Sequence, residues 1–420
     1  MNTDNQPLTL CGERFTAVYH LAGAATATQA RQRALDICLE QTVEFPEDLI
    51  PHAAIREQIV GQLVALEQLE EDRWEAVIRY PIEVAGRELT QLVNCLFGNS
   101  SIKPGIRLVR FDLSERLALL YRGPRFGQAG LRDRLRVRDR PLLCTAVKPM
   151  GLSPRALADL AYRLALGGID LIKDDHGLAD QTFCPFDERV TRCGEAVARA
   201  NQETGGHALY VPNVTAPALE IARRARFARA AGAGGLLFCP GLAGLDALRT
   251  LADDDTLDLP ILSHPAFQGS FTLDPRSGVA HGCLYGQLNR LAGADATIFP
   301  SYGGRFAFTQ EDCRAVVDGA VRPMGHFRPI FPVPAGGLRL ERVPELIDFY
   351  GRDCMLLIGG DLHRGDDLVK NCRMLVEAVT AADGRSQGSV TDNDRDAITP
   401  DERAARPSPI RPRVPPAPAR

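Results

Sequence analysis

The sequence predicts an α/β protein, a (β/α)8 TIM barrel preceded by a small α+β, ferredoxin-like domain. Three observations carry this. From Pro141 onward, short apolar runs alternate with amphipathic segments. Eight such strand–helix units fit into about 240 residues, the count and size of a (β/α)8 barrel. The chemically unusual residues fall just after the apolar runs, where barrels carry their catalytic groups.

Taken in order, residues 12–135 form the N-terminal unit. Strands are expected at 14–20, 74–84 and 105–112, and helices at 28–41, 89–97 and 114–121. The order is too irregular for a doubly wound parallel domain. Residues 136–383 form the barrel, with strands at 142–147, 169–172, 208–211, 235–238, 259–262, 296–299, 329–333 and 354–358. Helices between them are expected at 154–166, 188–200, 216–230, 279–291, 311–321, 343–350 and 366–380. Residues 384–420 hold seven prolines and no aromatic residue. They cannot bury enough apolar surface to offset the entropy of ordering, and are expected to be a disordered tail.

Composition narrows the function. Of 420 residues, 45% are hydrophobic and 24% charged, as in ordinary globular proteins. A net charge of −4 without a basic run argues against nucleic acid as a partner. No apolar run approaches the ~18 residues of a membrane span, and the N-terminus lacks a signal-like apolar core. The 11 cysteines are scattered without a C-x-x-C pair, fitting small buried hydrophobes in a reducing compartment. A cytoplasmic protein is expected.

The stretch 168–176, Gly-Ile-Asp-Leu-Ile-Lys-Asp-Asp-His, runs an apolar strand into four ionisable side chains. Such groups are costly at a buried strand end unless they pair or hold a metal. Lysines stand only at 103, 148, 173 and 370, arginine serving elsewhere. An amine can lose its proton, form a Schiff base or take up CO2, which a guanidinium cannot. The plainer reading is a Lys–Asp ion pair closing the strand. Strand alternation puts Lys173 and Asp175 on one face and Asp174 on the other, with His176 at the loop entry. A carbamylated Lys173, Asp175 and His176 would suit a divalent cation: Mg²⁺, or Mn²⁺ or Zn²⁺ given the histidine nitrogen. A Schiff base on Lys173 or Lys148 is the alternative.

The pairs Gly336-Gly337 and Gly359-Gly360 follow strands seven and eight, where bare backbone N–H groups often bind phosphate in barrels. Arg305, after Gly303-Gly304, could bring a cation to the same anion on a mobile loop. His264 is a candidate proton carrier or a structural hydrogen-bonding residue.

Two motifs carry a resemblance to a known family. Residues 145–153, Thr-Ala-Val-Lys-Pro-Met-Gly-Leu-Ser, resemble the first-strand Lys-Pro motif of the RuBisCO large-chain family. Residues 167–176 are similar to its Gly-Gly-x-Asp-Phe-x-Lys-Asp-Asp-Glu signature. The resemblance spans the chain up to the tail. It implies an antiparallel homodimer with active sites at the subunit boundary, Mg²⁺, and CO2 for lysine carbamylation. It implies Lys173 as the carbamylated ligand, Asp175 as the metal aspartate, and His176 in place of the usual glutamate. Lys148 and His264 then match catalytic residues, Asn213 a residue near the metal, and Arg305 the loop-six lysine. Gly337, Gly359 and Gly360 match the phosphate cradle, and Glu40 and Asn99 match residues given by the partner subunit.

Departures from the family pattern set the subclass. The second lysine of Lys-Pro-Lys is absent, and Pro265, Ile298 and Ala335 stand where arginine, histidine and serine are expected. One phosphate site and part of the carboxylation apparatus are thereby lost, so the chain resembles a RuBisCO-like protein (form IV). The expected activity is metal-dependent decarboxylation of a β-keto sugar acid monophosphate through an enediolate, specifically 3-oxo-isoapionate 4-phosphate in carbohydrate catabolism. The alternatives are a transcarboxylase/hydrolase on that substrate and an enolase or isomerase of a methylthio-sugar phosphate. A regulatory protein is the non-enzymatic alternative.

Overall fold

The computed structural model describes residues 8–388. The N-terminal domain contains four antiparallel strands: β1 (Arg14–Ala22), β2 (Gln62–Glu70), β3 (Arg73–Pro81) and β4 (Ile106–Asp112). Their spatial order, β4-β1-β3-β2, is ferredoxin-like. β1 lies inside the sheet, and its alternate residues Phe15, Ala17, Tyr19 and Leu21 are fully buried. They pack in one core with Ala30, Ala34 and Ile37 of helix Ala27–Glu40 and with Leu92 and Leu96 of helix Leu89–Phe97. Thr26 starts the first helix by accepting the Gln29 N–H.

The barrel strands are β5 (Leu142–Val147), β6 (Leu171–Asp174), β7 (Leu209–Val211), β8 (Leu236–Phe238) and β9 (Ile261–Ser263). After the two-residue β10 (Gly278–Val279), the set continues with β11 (Ala296–Pro300), β12 (Phe331–Ala335) and β13 (Met355–Leu357). β10 pairs with β4, so the N-terminal sheet continues into the barrel's chain. The eight parallel strands form two ladders, β13-β5-β6-β7 and β12-β11-β9-β8. The Val214 N–H donates to Leu237 O (3.0 Å) and the Leu237 N–H to Pro212 O (2.9 Å), joining β7 to β8; β12 packs beside β13 at the other seam. Cys144, Leu171, Val211, Leu237, Leu262, Ile298, Val333 and Met355 supply one inward residue from each strand.

The strand expected at 169–172 lies two residues later, because Lys173 and Asp174 continue the ladder beside Ala146 and Val147. The final helix, Leu368–Gly388, runs past the expected boundary at 383, and the rest of the expected tail lies outside the described residues.

Helix Gly127–Leu135 plugs the end of the barrel where the strands begin, its Leu131 and Leu135 joining the inward-facing cluster. Asp295 fixes it there. One oxygen accepts the N–H groups of Phe126 and Gly127, each at 2.7 Å, and the other that of Ile261 at 3.0 Å. Burial raises the carboxyl pKa to about 6 despite these three bonds. The native state therefore holds this proton more tightly than the unfolded chain, and the group's contribution to stability declines as pH rises from its ordinary value to about 6. Asp295→Asn points an amide N–H at another N–H, and is expected to lose about 1–3 kcal/mol and to flatten that slope. Urea denaturation at pH 5 and 7 checks both.

Candidate active site

A cavity of about 930 Å³ opens where the strands end, lined by Lys148, Lys173, Asp175, His176, His264, Arg305, Gly337, Gly359 and Gly360 among others. One cavity thus gathers nine of the twelve residues singled out from the sequence.

Lys173 is nearly the last residue of β6, between Ala146 of β5 and Val211 of β7. Its side chain is buried, and Nζ donates to the Asp174 carbonyl at 3.1 Å. Burial lowers its pKa against the opposing pull of Cys144 and Asp175. No carboxylate lies within ion-pairing distance of this amine among the described residues, so the plainer strand-closing Lys–Asp pair is not formed.

Asp175 is half-buried. Its Oδ1 is 3.9 Å from Lys148 Nζ and 3.7 Å from His176 Nδ1. Burial opposes its ionisation, but the His176 ring and the Lys173 charge outweigh that and hold its carboxyl well below the usual carboxylate range. The His176 and His264 rings stack with centroids 4.3 Å apart and 13° between planes. His264 Nδ1 accepts the Ala266 N–H at 3.2 Å, which leaves the proton of the neutral ring on Nε2. Burial, then the charges of Lys173 and His176, press its pKa well below the ordinary histidine value.

Lys148 lies between the Asp175 carboxylate and the loop after β13. A Cβ at Gly359 would come within 3.2 Å of its Nζ, so a residue without a side chain leaves room for the amine. Gly336 and Gly337 have φ of +93° and +98°, a left-handed turn that glycine permits. The Arg305 N–H donates to Gly336 O at 2.8 Å, and its guanidinium makes no ion pair among the described residues. The two glycine loops are tied together where Asp361 accepts the Leu340 N–H at 2.8 Å.

Asp174 faces the other way and is fully buried. It accepts from Arg189 Nε (3.1 Å), the Tyr210 hydroxyl (2.7 Å) and the Asn213 N–H (3.0 Å). Asn213 does not line the cavity: its amide donates to the carbonyls of His176 and Leu178, each at 3.0 Å, bracing the loop after β6. Glu40 and Asn99 also lie outside it. They meet on the N-terminal domain, where Asn99 Nδ2 donates to Glu40 Oε1 at 3.1 Å and Lys103 pairs with the other oxygen. Those two hydrogen bonds lower the Glu40 pKa, the Lys103 bond more strongly.

The sequence reading missed the cavity's apolar side. Phe267, Leu273, Phe306, Phe308 and Leu338 line it together with Ile298 and Ala335. The signal was present in Phe306-Ala-Phe308, aromatic residues just beyond Gly303-Gly304-Arg305 in a loop.

Residues 127–367 match the family model for the ribulose bisphosphate carboxylase large chain, catalytic domain. Ribulose bisphosphate carboxylase-like protein 1 of Rhodopseudomonas palustris is 42% identical over 83% of this chain and 93% of its own. The 5-methylthioribulose-1-phosphate isomerase of Rhodospirillum rubrum is 38% identical over 90% and 99%. The crystal structure of a Rubisco-like protein from Rhodopseudomonas palustris superposes with a TM-score of 0.79 at 40% identity, covering 87% of this chain and 97% of that one. The motifs around Lys148 and Lys173, the two-domain architecture and these relatives agree: the chain belongs to the RuBisCO large-chain family, as a RuBisCO-like protein.

Proposed function

We propose that this protein is an enzyme that enolises or isomerises a singly phosphorylated keto sugar with an apolar far end. The carrying observation is that Ile298 and Ala335 share the cavity with Phe306 and Phe308, in the same lining as Lys148, Asp175 and His264. Arg305, Arg339 and Arg364 all line the cavity, and each stands within a few residues of a glycine pair, so the arginines gather around the glycine loops. The relative named 5-methylthioribulose-1-phosphate isomerase handles a sugar with one phosphate and a thioether end, which fits a cavity lined by both polar and apolar side chains. That support moves the reading from the decarboxylation expected from sequence to the methylthio-sugar alternative.

The residues fit a divalent cation once Lys173 is carbamylated. Among the described residues no three His, Cys, Asp or Glu side chains can hold a metal together, so Asp175 and His176 need a further donor. The buried, unpaired Lys173 amine is suited to supply it, because burial favours the neutral form that reacts with CO2. When bound, Mg²⁺, Mn²⁺ or Zn²⁺ would polarise the substrate carbonyl as a Lewis acid. Lys148, between Asp175 and Gly359, is placed to remove or return a proton on the carbon beside that carbonyl. Neutral His264 offers an Nε2–H to the developing oxyanion. Gly337, Gly359, Gly360 and Arg305 would hold the phosphate.

No residue before Ala146 lines the cavity. If Glu40 and Asn99 touch substrate, they do so in a second copy, and we therefore read the working unit as a homodimer.

Full-length protein with Mg²⁺ and bicarbonate should be tested on 5-methylthioribulose 1-phosphate, 3-oxo-isoapionate 4-phosphate and ribulose 1,5-bisphosphate. Expected are deuterium uptake from D2O and a rearranged product with the first, and no CO2 release or fixation with the others. CO2 release from the second alone would restore the decarboxylase reading.

A further inference from the structure

We propose that Arg342 is a positioning residue for phosphate binding, latching the loop after β11 so that Arg305 and the Gly336-Gly337 turn present one preformed anion site. The inference rests on the phosphate reading above and deepens it.

The loop runs from Ser301 to Thr309, and the sequence suggested a mobile carrier of Arg305. In the structure it is fastened at several points, three of them at or near its ends and at Arg342. The Ser301 N–H donates to Ala335 O (2.8 Å) and its hydroxyl meets the Tyr350 hydroxyl (2.9 Å). At the far end, Thr309 and Asp312 form a reciprocal capping box that starts helix Gln310–Val321.

The third fastening is Arg342, which reaches back from the turn before helix Val343–Tyr350. Nη1 donates to the carbonyls of Tyr302 (3.3 Å) and Gly303 (3.0 Å). Nε and Nη2 grip the two oxygens of Glu345 at 2.9 and 2.8 Å, and the Tyr302 hydroxyl donates to the same carboxylate at 2.9 Å. The guanidinium also sits 5.2 Å from the Tyr302 ring centroid. Gly303 makes this approach possible: a Cβ there would stand 2.7 Å from Nη1.

One planar fork thus binds a carboxylate bidentately and two loop carbonyls, a pattern an ammonium cannot reproduce. Two residues on, the Arg305 N–H is bonded to Gly336 O, so the latch and the glycine turn hold the loop from opposite sides. Nothing in this arrangement brings Arg342 to the cavity, whose lining omits it. Its action on an anion must pass through the loop.

If the latch keeps the loop in its binding-competent form, releasing it lowers the competent fraction and weakens binding in proportion. Inorganic phosphate binding by full-length protein, measured calorimetrically, should weaken about tenfold in Arg342→Met, corresponding to a competent fraction of about one tenth. Arg342→Lys should recover only part of the loss. Amide hydrogen exchange should quicken in 301–309 and stay unchanged in β5 and β6. Glu345→Gln, at a half-exposed position, should give the same pattern more weakly and covers the case in which Arg342→Met fails to fold. Arg305→Ala is the control. Loss of phosphate binding in Arg305→Ala with native affinity and exchange in both Arg342→Met and Glu345→Gln would overturn the latch alone. Native affinity in Arg305→Ala would overturn the phosphate reading, and the latch with it.

Discussion

Lys173→Ala should remove turnover, lowering kcat by about 10³-fold or more, the scale on which a site loses a charge-stabilising group. Among the described residues no three His, Cys, Asp or Glu side chains can hold a metal together, so without a carbamate Asp175 and His176 are one donor short. Lys173→Arg should be as damaging, because a guanidinium keeps its charge where the buried amine is pressed to lose it. Mn²⁺ titration followed by electron paramagnetic resonance should show tight binding in the native protein with bicarbonate and none in either variant. A Lys173→Ala protein that binds Mn²⁺ normally and turns over would refute the carbamate, and borohydride trapping of substrate on Lys148 would then be the next test.

The second large effect is expected at Lys148. Lys148→Met preserves length and apolar stem but removes the amine that lies between Asp175 and Gly359. Loss of a positioned acid or base lowers rate by about 10²–10⁴-fold. Mn²⁺ binding should survive, since Lys148 is not a ligand, and so should phosphate affinity within a few-fold. Substrate C–H exchange with D2O should fall in parallel with kcat. If exchange continues at the native rate while product formation stops, Lys148 acts after proton removal and is not the base.

The barrel was legible because its strands are apolar on both faces and short, separated by helical periodicity. β2 was not. Gln-Leu-Val-Ala-Leu-Glu-Gln-Leu-Glu is an edge strand with no fully buried residue, and its leucines and glutamates read equally well as helix. Lys173 was legible because lysine is rare in this chain and stands at a strand end. Asn213 was located but not understood: its position after a strand gave no sign that its amide would turn to the carbonyls of His176 and Leu178. The Arg342 latch was invisible, since it joins residues about forty apart and one arginine among so many carries no signal.

Asp174 and Asp175 are chemically identical neighbours, and sliding β6 by one residue against β5 would swap their outlooks and drive Lys173 into the wall. The buried guanidinium of Arg189, the Tyr210 hydroxyl and the backbone N–H of Asn213 donate to the first of the two. A fully desolvated pair of this kind adds little net stability. Its return is alignment: an index mark behind the staves that decides, as the chain closes, which of two equal carboxylates meets the solvent.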